Sequence, residues 1–82
     1  YKNNSFTKPY LSMRKINRIK EVLVSKDMTQ KELAAKLNKN PNSITAICNN
    51  RSQPHLKDLL KISTILNVDI RELLISTKNQ IS

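Results

Sequence analysis

The sequence predicts an all-α domain, a compact bundle of five short helices, and three observations lead there. Apolar residues recur at intervals of three and four and nowhere alternate over a strand's length. Residues suited to helix starts (Ser12, Thr29, Asn40 with Pro41, Asp69) precede the periodic segments. The 82 residues include no glycine. Asp27, Asn38, Asn50 and Asn67 stand where helices should end, and Asn and Asp are the next-best residues for a left-handed backbone.

Residues 1–12 are polar and aperiodic, carry Lys2 and Lys8, and read as a basic N-terminal arm. Helix 1 is expected from Met13 to Lys26, capped by Ser12. Ile16, Ile19, Val22 and Leu23 lie on its inner face, with Arg14, Lys15, Arg18 and Lys20 outside. Thr29-Gln30-Lys31-Glu32 is a capping box, so helix 2 starts there, turns Leu33, Ala34 and Leu37 inward and ends at Asn38. Pro41 opens helix 3, whose Ile44 and Ile47 face the core while Asn49-Asn50 closes it. After a loop at 51–54, Leu56, Leu59, Leu60, Ile62, Ser63 and Leu66 mark helix 4, which stops at Asn67. Asp69-Ile70-Arg71-Glu72 repeats the capping box and predicts a short helix 5 through Leu73, Leu74 and Ile75. The domain thus spans 13–76, followed by a polar tail at 77–82.

Size and charge restrict the function. A 9.4 kDa chain with 15 Lys plus Arg against 6 Asp plus Glu, net +9, is one small basic domain, without room for the pocket of a typical enzyme. The charge is uneven: residues 1–31 hold eight cations and two acids, or +6, whereas residues 55–82 hold four and three, or +1. No apolar run approaches the roughly 18 residues of a membrane span. No catalytic set of Ser, His and Asp, paired acids or glycine-rich loop can be assembled, so no enzyme and no cofactor are expected. Cys48 is the single cysteine and His55 the single histidine, which leaves no metal site. Cys48 reads as a small buried hydrophobe, and one thiol without an apolar leader predicts a reducing cytoplasm.

Two short helices joined by a three-residue turn, with two more following, resemble the lambda-repressor-like (Cro/CI, xenobiotic-response-element) helix-turn-helix family. The resemblance spans about residues 16–75 and rests on MTQKELAAKLNKNPNSITAICNN (28–50) and QPHLKDLLKISTILNVDIRELL (53–74). Glycines common in that family before helix 2, in the turn, after helix 3 and before helix 5 are here Asp27, Asn38, Asn50 and Asn67. His55 stands where a serine often caps helix 4.

The resemblance implies that double-stranded DNA is the partner, with helix 3 in the major groove and Pro41, Asn42, Ser43, Thr45 and Ala46 toward base edges. Asn42 can pair with both the N7 and N6 groups of adenine, Ser43 and Thr45 are permissive, and Ala46 meets only a thymine methyl, so an A·T-leaning site or shape readout is expected. Gln30, Lys39, Asn49, Arg51 and His55 fall where the family holds the backbone. So small a reader gains specificity by pairing with itself. Ile65, Ile70, Leu74 and Ile75 are the candidate dimer interface, for a homodimer on a palindromic operator. A restriction-modification controller, a phage-type repressor and an antitoxin-type repressor all fit. The rival is a helix-turn-helix adaptor for an acidic protein, which would need an exposed apolar patch where the reader has Gln30, Lys39, Asn42, Asn49 and Arg51.

Overall fold

The computed structural model describes residues 15–77. Four α-helices follow one another: α1 (Ile19–Ser25), α2 (Gln30–Leu37), α3 (Pro41–Cys48) and α4 (Leu56–Leu66), and a 3-10 turn (Ile70–Leu73) ends the series. The architecture is all-helical, as the periodicity requires, but with four helices instead of five. The fifth expected helix is only this turn: its box forms, with Asp69 Oδ1 accepting from the Arg71 amide at 2.8 Å, yet Leu74 is already extended. No helix among the described residues is long and apolar enough to cross a membrane.

Each helix is set by its ends. Thr29 Oγ1 accepts from the Glu32 amide at 3.0 Å and Glu32 Oε1 accepts from the Thr29 amide at 2.8 Å, closing the box that starts α2. Asn40 Oδ1 accepts from the Asn42 amide at 2.7 Å, with Pro41 at the first position of α3. The backbone turns left-handed at Asp27, Asn38, Asn50 and Asn67, with φ of 58°, 57°, 60° and 56°. All four glycine substitutes therefore keep the turns they were expected to keep.

The core is one cluster to which every element contributes: Ile19, Val22 and Leu23 from α1, Leu33 and Ala34 from α2, Ile44, Ile47 and Cys48 from α3, Leu59, Ile62 and Leu66 from α4, and Leu73. Packing α2 against both α3 and α4 makes the central unit, and α1 joins α3 to the 3-10 turn. Leu56 and Leu60, which help to mark α4 in the sequence, stay outside this cluster.

Helix 1 begins six residues later than its periodicity suggests. Residues 15–18 are not helical, and Asn17 forms an isolated antiparallel bridge with Leu74: the Arg18 amide donates to Leu73 O at 2.8 Å and the Ile75 amide to Ile16 O at 2.9 Å. Ile16, expected to face the core, is 49% exposed, and Asn17 is buried at 2% in its place. The cause is the Asn17 side chain. Its Oδ1 accepts from the Ile19 amide, the first of α1, while its Nδ2 donates to Ile47 O at 3.0 Å and Gln53 Oε1 at 2.8 Å. A buried amide with every polar atom satisfied outweighs one further helical turn. The arm at 1–12, the expected start at Met13 with its Ser12 cap, and residues 78–82 of the tail lie outside the described residues.

Candidate nucleic-acid interface

The site grows from the α2–α3 unit. The turn Asn38-Lys39-Asn40 is three residues long, its left-handed Asn38 ends α2, and the Asn40 cap starts α3 at once. With Ile44, Ile47 and Cys48 buried, α3 leaves Pro41, Asn42 and Ser43 exposed and Thr45 and Ala46 half-buried. The recognition candidates therefore share one outward side of α3, and none is charged.

One contact ties the two helices together at this surface. The Thr45 hydroxyl donates to Gln30 Oε1 at 3.0 Å. Gln30 is thus held at the N-terminal end of α2 with its Nε2 hydrogens available, beside backbone amides that carry partial positive charge. Thr45 in turn has its proton engaged, which leaves its methyl and remaining lone pairs to present outward.

A groove brings Lys39, Asn42, Ser43, Ala46 and His55 together, and adds Gln53 from the loop, a residue the sequence reading passed over. Asn49 and Arg51 are exposed near its α3 end but do not line it. Asp58 also lines the groove and lies 3.3 Å from Lys39 Nζ, an ion pair between the helix-turn-helix and α4. Lys39 therefore meets this surface already partnered. The spacing of 19 residues gave no local signal for that pair.

The loop after α3 is held from behind. Asn50 Oδ1 accepts from the amides of Ile16 and Asn17 at 2.8 and 2.9 Å, and its Nδ2 donates to Asn17 O at 3.1 Å. Gln53 Nε2 donates to Asn50 Oδ1 at 3.2 Å. Asn17, Asn50 and Gln53 form a network that fixes the segment bearing Arg51.

The four dimer candidates are divided. Ile65 sits half-buried between α2 and α4, whereas Leu74 and Ile75 line a separate groove with Arg18, Asp69, Arg71 and Glu72; Ile70 lines neither and packs on the core. Arg71 bonds both Asp69 oxygens, which holds the Asp69 carboxyl below its usual range and raises the guanidinium. Hydrogen bonds from Thr29 likewise lower Glu32. Cys48 is buried, as expected of a small hydrophobe, and burial raises its thiol against the opposing pull of Lys20.

The geometry is that of a helix-turn-helix: a capped supporting helix, a three-residue turn and a second helix with a polar outer side. The Helix-turn-helix family matches residues 19–73, and the chain belongs to this Cro/CI-like family. A crystal structure of a Bacteroides fragilis protein, described as a proposed DNA-binding protein, is similar at 45% identity with a TM-score of 0.72, covering 73% of this chain and 97% of that one. No curated protein sequence matches the chain.

Proposed function

We propose that the protein is a sequence-specific, double-stranded-DNA-binding transcriptional regulator that works as a homodimer on a palindromic operator. It acts in the cytoplasm by occupancy and not by catalysis. The observation that carries this reading is the outer side of α3, where Asn42 and Ser43 stand exposed beside a phosphate-sized donor, Gln30, braced by Thr45. A helix presenting small polar side chains between flanking donors matches the depth and chemistry of the major groove. The family and the Bacteroides fragilis relative support it.

An adaptor would carry its exposed apolar side chains on this surface. Here Ile16, Val24, Leu56, Leu60 and Leu74, the large exposed ones, all lie outside the groove under Asn42. For the homodimer, the support is the surface beside the Asn17–Leu74 bridge. Ile16 and Ile75 are opposite one another, Leu74 is 39% exposed, and Arg18, Arg71, Asp69 and Glu72 surround them with both signs of charge, as a self-complementary interface requires. A controller or repressor of either origin uses the same geometry.

Selection from a random duplex pool tests the reading. The wild-type chain should enrich a palindrome with A·T pairs under α3, and Asn42→Ala should relax one symmetric position. Salt-sensitive binding that enriches no motif would overturn it.

A further inference from the structure

A second groove, sharing no residue with the one under Asn42, runs between the last turn of α2 and the middle of α4. Lys36, Leu37, Leu60, Lys61, Thr64 and Ile65 line it. Leu60 is 59% exposed and Leu56, one turn earlier on the same stripe, 80%. The core does not need them, because Leu59, Ile62 and Leu66 supply the inward stripe of α4. Two leucines exposed in succession beside an apolar groove are more than the scattered apolar residues of an ordinary surface.

Charge identifies the occupant. Lys36 and Lys61 stand on the rim and Lys57 lies one turn from Lys61, while no carboxylate lines the groove. The nearest acids are committed elsewhere: Glu32 to the α2 capping box and Asp58 to Lys39 in the other groove. A second copy would bring the same basic rim against itself. The segments at 1–14 and 78–82 hold Lys2, Lys8, Arg14 and Lys78 and no acid, so they are no better matched. A DNA backbone would satisfy the lysines but strand the leucines against phosphate.

We propose that this groove docks an acidic amphipathic helix of another protein, with apolar side chains on Leu37, Leu60 and Ile65 and carboxylates on Lys36 and Lys61. This is helix-in-groove recognition, with its anchors spaced at i, i+3 and i+4. Because the two grooves share no residue, the partner and DNA can be held together. The proposed regulator thereby gains a contact to other proteins at the operator.

The test uses the full chain and a synthetic 15-residue helical peptide with leucines at i, i+4 and i+7 flanked by glutamates, against a control with every glutamate replaced by lysine. Chemical-shift changes should centre on Leu37, Leu60, Thr64 and Ile65, with a dissociation constant on the order of 10–100 µM for the acidic peptide. Leu60→Asp places a charge under the incoming leucines and should weaken binding at least about tenfold, with circular dichroism unchanged. The Lys36→Glu/Lys61→Glu pair should do the same. Equal binding of the lysine control, undiminished binding to Leu60→Asp, or shifts confined to α3 overturns the proposal. Two further results also overturn it: Leu60→Ala abolishing self-association would assign the groove to a second copy, and Leu60→Ala losing duplex affinity would assign it to DNA.

Discussion

Asn38 and Asn50 share a left-handed backbone and differ in what their side chains do. The Asn38 side chain makes no hydrogen bond among the described residues, so Asn38→Gly should change stability by less than about 0.5 kcal/mol, and Asn38→Ala should cost about 1 kcal/mol. Asn50→Gly keeps the turn but strips the amides of Ile16 and Asn17 of their acceptor, and should cost about 2–3 kcal/mol in urea unfolding. Equal costs for the two glycine variants would mean that the network around Asn17 contributes nothing. Asp58 allows a functional version of the same comparison. Asp58→Asn removes the partner of Lys39 and an acid from the groove proposed to face DNA, so duplex affinity should rise several-fold, with a salt slope steeper by about one ion. An unchanged slope would mean that Lys39 does not reach phosphate.

The helices depend on their ends, and α2 most of all, since it carries Gln30 at its first position. Thr29→Ala should cost about 1 kcal/mol at neutral pH. The acid limb follows from Glu32. Its carboxyl is lowered by bonds from the Thr29 backbone and hydroxyl, so the stabilisation is complete above the unfolded glutamate pKa and fades as pH falls through the folded one. Thermal melts should therefore show a loss below about pH 4.5 that is reduced in Glu32→Gln, which keeps the box without titrating. Identical acid limbs would remove Glu32 from that transition. These ends were legible because a cap is a local code: Thr29 with Glu32, Asn40 with Pro41 and Asp69 with Glu72 each lie within four residues. The start of α1 was not, because Asn17 is held by Ile47 and Gln53, more than 29 residues away. A longer separation still hid the bridge between Asn17 and Leu74, beside which the expected fifth helix is a single turn. At the candidate site, α3's outer side could be read from the spacing of Ile44 and Ile47, but the Lys39–Asp58 and Thr45–Gln30 pairings could not.

The proposed homodimer would couple association to DNA binding. One domain offers a single α3, and a reader with so few base-contacting side chains needs two of them about 34 Å apart along one face of a duplex. The place proposed for copies to join is beside the Asn17–Leu74 bridge, where Ile16, Leu74 and Ile75 give an apolar centre and Arg18, Asp69, Arg71 and Glu72 a mixed rim. Leu74 is exposed while Leu73 beside it carries the core contact, so Leu74→Glu should leave the fold intact and, in the proposed dimer, put carboxylates face to face across the two-fold axis. Sedimentation should find wild type at twice 9.4 kDa at micromolar concentration and Leu74→Glu at 9.4 kDa. On duplexes, the variant should lose at least about tenfold in affinity for the palindrome yet bind an isolated half-site as wild type does, because avidity is lost and the reading surface is not. A wild-type chain that sediments as a monomer and still binds the palindrome no better than the half-site would mean that the Asn17–Leu74 bridge only closes the domain, and that each copy reads DNA alone.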